Sequence, residues 1–310
     1  PSMDEMARLK EGEEAGAIWA IEPGYGGYFR QQSFDKWDSM QNKWTGQYEF
    51  ESVPLQRRLK DEGDLVIAAQ LPSQQWVRVP VPYTYVLGGT HGTATTIETQ
   101  WDQNGDYVVR TKRPAQVALV LTPYTGVLPY HQGEPNEDLN FEANLSEATQ
   151  AKLEEVRQIN GGNISRARKL LAYTIGRLKY SNDSSYNQVY ATHPNGYIGG
   201  IDGLKQADCD VANTYFAALC AELGIPVRHV TGQMVKGKDN QGNSRITSGT
   251  GHAWSEMWDE ISQVWVRMDA TPPGDPQLQE DQSGEGVPGD YSEQEAIGPT
   301  DEELLALEQK

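Results

Sequence analysis

The sequence predicts an α+β fold, a helix packed on an antiparallel sheet, preceded by an all-β sandwich-like domain. Three observations carry this reading. Residues 49–125 alternate apolar and polar side chains in short runs with Asn-Gly and Gly-Gly turns between them, the pattern of half-buried strands. From Cys209, residues Ala212, Phe216, Leu219 and Leu223 recur at helical spacing. Residues 252–258 and 264–270 alternate again on either side of a polar turn, as the two arms of a hairpin do.

Taken in order, residues 1–48 form an extension carrying Trp19, Trp37, Trp44 and the cluster Gly24-Tyr25-Gly26-Gly27-Tyr28. Disordered tails seldom hold so many aromatics, so this extension is expected to be ordered and to lie on another surface. Residues 49–125 are the sandwich-like domain, with strands near Tyr48–Glu51, Leu65–Ala68, Trp76–Val79, Thr95–Glu98, Tyr107–Arg110 and Val117–Val120. The Pro-rich, acidic stretch 126–140 reads as a linker. Residues 141–275 form the α+β domain, opening with helices near Ser146–Asn160 and Ser165–Leu178. Residues 276–310 read as an acidic, solvated tail that is dispensable for chemistry, with a short helix near Asp301–Glu308. The alternative for that tail is a lid docked through Leu304, Leu305 and Leu307.

Charge and length narrow the function. The 310 residues carry a net charge of −18, and 274–310 hold eleven acidic residues and one lysine, a net of −10, leaving −8 elsewhere. Such a balance argues against nucleic acid as a partner, because phosphate binding needs basic patches. No apolar run approaches the roughly 20 residues of a membrane span. Two cysteines give no disulfide framework. No signal peptide is visible, and the start at Pro-Ser-Met reads as that of a trimmed chain, a piece of a longer protein. An extracytoplasmic or cell-surface setting is the favoured location.

Three residues stand out as chemistry. Asp208 is a good N-cap, which puts Cys209 in the first turn of its helix, where the helix dipole favours a thiolate and the flanking carboxylates of Asp208 and Asp210 oppose it unless Asp208 is taken up by capping. The helix stops at Gly224 and Pro226. His252 and Asp269 lie on the two arms of the hairpin, and a turn centred on Glu260 and Ile261 sets them opposite one another. Cross-strand Cβ atoms are only ~5 Å apart, close enough for a carboxylate to hold an imidazole in one tautomer. A thiol, a base and its orienting carboxylate are the parts of a cysteine acyl-transfer site. Cys220 lies eleven residues along the same helix, about 16 Å away, and reads as core. His193 and His229 are rival bases, the second reading as structural in its apolar strand. Trp254 and Trp258 read as core or groove walls, and Glu256 shares a face with His252, either as a supporting partner or as a solvated side chain. Asp239-Asn240-Gln241-Gly242-Asn243 reads as a polar turn, since it lacks the alternating ligand pattern of a calcium loop. No metal and no cofactor are expected.

Residues Cys209–Pro272 resemble the transglutaminase core, a papain-like branch of the thiol enzymes. The likeness rests on Leu223-Gly224-Ile225-Pro226-Val227-Arg228 closing the nucleophile helix, on His252-x-Trp-x-Glu-x-Trp, and on Trp265-x-x-Met-Asp269-x-Thr-Pro. It covers roughly 150–275. The chain departs from the family in having Asp208 and Asp210 beside the cysteine and Ala270 after the aspartate. The resemblance implies a papain-like fold and a Cys209-His252-Asp269 triad. It implies an aromatic oxyanion donor upstream, for which Tyr180 is the leading candidate by position, with Tyr186, Tyr190 and Tyr197 as rivals. The backbone N–H of Cys209 would be the other donor. The implied substrates are a protein or peptide bearing a glutamine carboxamide or peptide carbonyl, with a primary amine or water as acceptor. Calcium dependence, familiar in animal transglutaminases, stays open. A scaffold that keeps the fold for binding alone is the alternative of another class.

Overall fold

The computed structural model describes residues 18–92, 95–131, 135–136 and 139–276. The first part of the expected extension and nearly all of the expected acidic tail, with its short helix, lie outside the described residues.

The candidate site is built on an antiparallel five-stranded sheet. Its order is Val264–Met268, Gly251–Asp259, Val227–Val235, Gly27–Phe34, Val81–Pro82. Against it packs the helix Cys209–Glu222. Every residue from Cys209 to Cys220 is buried, so this is a central helix covered on all sides rather than an amphipathic one. Gly224, at φ 69°, takes the left-handed conformation that closes the helix where the sequence placed its stop. Ser146 caps the helix Glu147–Arg157 by accepting from the Thr149 N–H at 3.4 Å. A second helix runs Gly162–Arg177.

Two further helices, Ser185–Ala191 and Gly196–Leu204, were not anticipated. The second contains four glycines, which carry low helix propensity. Packing demands two of them. A Cβ on Gly199 would lie 2.6 Å from the Asn144 carbonyl oxygen, and one on Gly200 3.0 Å from the Tyr190 ring.

The remaining strands form a five-stranded sheet, ordered Ser244–Ile246, Trp19–Glu22, Leu65–Leu71, Ala115–Pro123, Tyr85–Thr90, and a four-stranded sheet, ordered Phe50–Ser52, Ile97–Asp102, Tyr107–Thr111, Val77–Arg78. Ile21, Ile67 and Leu119 of the first share a core with Tyr107 and Val109 of the second. Each of the six runs expected between 49 and 125 overlaps a strand. The Gly88-Gly89 pair is not a turn. It lies inside the strand Tyr85–Thr90, where Gly89 lets the Gln56 carbonyl approach to 2.6 Å of where a Cβ would be.

The sheets cross the boundaries drawn at 48 and 125. Gly27–Phe34, assigned to the extension, is an inner strand of the site's own sheet, and Val81–Pro82 of the sandwich-like stretch is its edge. Conversely Ser244–Ile246, from the 141–275 stretch, pairs with Trp19–Ile21 in the other sheet. Alternation reports that a strand is half-buried; it carries no information about which sheet receives it. Trp37 and Trp44 pair across a short hairpin and pack into the site domain, Trp37 stacked on Phe141 at 5.4 Å and Trp44 on His229 at 5.1 Å.

A buried charge cluster fastens these parts. Glu256 accepts from Arg30 Nε at 2.7 Å, Arg228 Nε at 2.6 Å and the Tyr83 hydroxyl at 2.5 Å. Arg30 also reaches Asp106 at 2.7 Å. Burial would raise the Glu256 pKa, but Arg228 and Arg30 outweigh it and hold it at about 2. Removing the charge leaves two guanidinium groups buried without it, so Glu256→Gln is expected to cost about 3–5 kcal/mol and to lower Tm by roughly 10 °C. The pH dependence has a definite sign. The folded pKa lies below the ordinary value, so the contribution is complete above about pH 5 and is lost as pH falls toward 2. Thermal melts of both proteins from pH 7 to pH 3 check this: wild type should lose stability steeply in acid, and the variant should start lower and lose less.

Candidate active site

Cys209 is the first residue of its helix and is 3 % exposed. The Asp208 side chain accepts from the Val211 N–H at 3.0 Å, so it caps the helix as expected. Asp210 is buried with its carboxylate 3.7 Å from His229 Nε2. Both carboxylates flanking the thiol therefore point to other business.

His252 sits near the start of the strand Gly251–Asp259, opposite Gly232. That glycine is required. A Cβ there would lie 2.0 Å from the Phe29 carbonyl oxygen and 2.8 Å from the Trp254 ring. The His252 ring is buried between Tyr28, at 5.8 Å, and Trp254, stacked at 6.1 Å. Its Nε2 is 2.8 Å from Asp269 Oδ2.

The hairpin register differs from the expected one. Met257 pairs with Val266 and Trp258 with Trp265, so residue 252 lies in register with position 271, not 269. The loop is longer than assumed: Asp259 pairs with Val264, and residues 260–263 turn with Gln263 at φ 55°. A two-residue shift preserves the face of every side chain, which is why His252 and Asp269 still meet, diagonally.

Asp269 is held from several directions. Oδ2 also accepts from the Tyr28 hydroxyl at 2.7 Å, and Oδ1 accepts from the Thr271 hydroxyl at 2.5 Å and the Thr271 N–H at 3.0 Å. Asn213, one turn along the helix that Cys209 opens, brings its amide nitrogen to 2.9 Å from the Cys209 carbonyl and 3.3 Å from Asp269 Oδ1. Its side-chain oxygen accepts from the Ala270 N–H at 3.0 Å. Burial opposes ionisation of Asp269, but His252, with the hydroxyls of Thr271 and Tyr28, holds its pKa well below the usual carboxylate range. Burial likewise opposes a charged His252. The Asp269 carboxylate, and then Cys209, outweigh burial and hold the imidazole pKa well above its ordinary value.

On the other side of the ring lies Asp275, the last residue of the expected 141–275 domain. His252 Nδ1 is 3.8 Å from Asp275 Oδ2. The Cys209 sulfur, a His252 nitrogen and an Asp275 oxygen all lie within 4.8 Å of one another.

The other candidates distribute as follows. Tyr180 pairs with Ala207, two residues before Cys209, in a two-residue parallel ladder. The Tyr190 hydroxyl donates to the Gln206 carbonyl at 2.5 Å and that of Tyr197 to Asn187 at 3.2 Å, which commits both to structure. Trp254 is buried and donates to the Tyr83 hydroxyl at 2.7 Å. Glu256 is fully buried in the charge cluster, not solvated. Trp258 is six residues from His252, about 20 Å along the strand, and packs against Trp265 instead of bordering the cysteine. His193 accepts from its own neighbour Asn195, and His229 stacks on Trp44 in the core. Asp239 Oδ1 accepts from the Gln241 and Asn243 N–H groups, the polar turn that was expected.

Residues 150–270 match the sequence model described as the transglutaminase-like superfamily. This stretch is a transglutaminase-like domain. Among solved structures the chain resembles the periplasmic domain of TgpA from Pseudomonas aeruginosa. The ethylmercury-bound form gives a TM-score of 0.60 at 17 % identity over 87 % of this chain and 94 % of that one. A second structure of that domain gives 0.60 at 16 % identity over 87 % and 92 %. At this identity the likeness is one of fold. A comparison with curated proteins found no match. Tyr28 and Asp275 both lie outside the transglutaminase-like segment, so no local motif could have linked them to it.

Tyr28 supplies a test. Tyr28→Phe removes one hydrogen bond to a buried carboxylate, worth about 1.5 kcal/mol or tenfold. A kcat about tenfold lower, with KM little changed, is expected from steady-state rates.

Proposed function

We propose that the chain is a thiol acyltransferase acting on a protein or peptide carboxamide. The observation that carries this reading is the arrangement around His252: Nε2 bound to Asp269 at 2.8 Å, with Cys209 close on the ring's other side. His252 takes the thiol proton, and the thiolate attacks the carboxamide carbon. The C–N bond breaks, ammonia leaves with the proton from His252, and a thioester to Cys209 remains. In this reading the oxyanion takes hydrogen bonds from the backbone N–H of Cys209, at its helix start, and from Tyr180 as the proposed second donor. A primary amine then attacks the thioester and restores the thiol. Water in place of the amine gives an amidase or, on a peptide bond, a protease. Calcium has no assigned role in these steps. The shared fold with a periplasmic domain supports an extracytoplasmic setting, and no described helix is long and apolar enough to cross a membrane.

The test incubates the purified chain with a glutamine peptide, with and without an added primary amine, and weighs the products. Amine incorporation with loss of ammonia is the expected result. Deamidation or backbone cleavage alone would assign the hydrolase. Absence of any product across a panel of glutamine peptides would overturn the enzyme reading in favour of a binding scaffold.

A further inference from the structure

Asp275 takes no part in the scheme above, yet it is 3 % exposed and is delivered to the nucleophile. Gly274, at φ 110° and with its Cβ position 3.4 Å from Tyr180, makes the turn that brings it there. His252 Nδ1, buried and facing this corner, makes no hydrogen bond of ordinary length among the described residues.

We propose that Cys209, His252 Nδ1 and Asp275 form a site for one Zn²⁺ ion that reversibly closes the nucleophile. A thiolate, an imidazole and a carboxylate are a donor set suited to zinc, whereas calcium and magnesium require more oxygens than this corner offers. The spacing fits. Zinc bonds of about 2.0–2.3 Å place tetrahedral ligand atoms roughly 3–4 Å apart. The Nδ1 to Asp275 separation is 3.8 Å, and all three atoms lie within 4.8 Å of one another, so small side-chain rotations suffice. Three protein ligands leave the fourth position for water. Asp269 on Nε2 completes the carboxylate–histidine–metal relation, which fixes the tautomer so that the Nδ1 lone pair faces the ion. The thiolate and the Asp275 carboxylate balance the charge of the ion. Bound there, zinc occupies both the sulfur lone pair and the nitrogen that must accept its proton. The closure rests on the acyl-transfer reading; the binding does not.

The experiment titrates the full chain with Zn²⁺ against a chromogenic chelator, and with Co²⁺ as a spectroscopic substitute. One equivalent of either metal should bind, cobalt should show thiolate-to-metal charge-transfer absorption, and zinc should protect Cys209 from iodoacetamide until EDTA is added. Asp275→Asn should weaken binding at least tenfold, Cys209→Ala should erase the charge-transfer band, and Cys220→Ala should bind like wild type. Cobalt binding without that band, iodoacetamide labelling unaffected by zinc, or unchanged affinity in Asp275→Asn would overturn the site. Should the Asn variant not fold, the cobalt spectrum and the labelling of the wild-type chain decide alone. None of these readouts needs turnover, so failure of the acyl-transfer reading would be seen separately.

Discussion

Cys209→Ala is expected to fold as wild type and to form no product, while Cys220→Ala keeps its turnover. The two thiols share one helix and one residue type, so they form an internal control. Cys209 opens the helix beside His252 and Asp275. Cys220 lies about 16 Å further along, fully buried, and burial alone pushes its thiol pKa well above the ordinary value. A protonated thiol in the core is no nucleophile. Loss of the nucleophile in a comparable serine enzyme costs on the order of 10⁶ in kcat. The Cys220 change removes one sulfur from the core and is expected to cost about 1 kcal/mol of stability with no change in kcat. Product mass spectrometry and thermal melts of the two variants check both halves. Turnover surviving in Cys209→Ala would overturn the mechanism entirely.

Asp269→Asn is expected to keep the fold and lower kcat by about 10⁴, the size of the matching change in serine proteases. The amide is nearly isosteric and can retain the contacts to Thr271 and Asn213 through its oxygen. It cannot repeat the carboxylate's hold on the imidazole. With Nε2 facing an amide N–H, the ring favours the tautomer that puts the proton on Nδ1, so the atom facing Cys209 no longer accepts. The positive charge on His252 also loses its largest support, so its pKa should fall toward or below the ordinary histidine value. Single-turnover rates, together with the NMR titration of His252, separate this from a folding defect. A folded Asp269→Asn protein with near-wild-type kcat would show that the His252–Asp269 contact does not serve the chemistry.

Much of the site was legible in the chain, because its signals are local. The N-cap Asp208, the stop at Gly224 and the parity of the hairpin all act within a few residues, where backbone hydrogen bonding and alternation decide the outcome. Parity explains why a register wrong by two still brought His252 to Asp269. The helix Gly196–Leu204 was missed for the opposite reason. Its glycines serve contacts with Asn144 and Tyr190 that no window around them contains.

By itself, then, the sequence determined the α+β class, the central helix and the three residues proposed for chemistry, since propensity, capping and periodicity are properties of neighbours along the chain. Tertiary structure alone decided the rest. It placed Gly27–Phe34 inside the site's sheet, so that Tyr28 reaches Asp269 across 241 residues. It turned Glu256 from a candidate beside the base into the centre of a buried ion cluster. And it folded Asp275, which in sequence opens an acidic run, back onto Cys209. An isolated carboxylate reads as solvated because water is its cheapest partner; only a packed core that removes the water, and supplies a cation or a metal in its place, can give it another role.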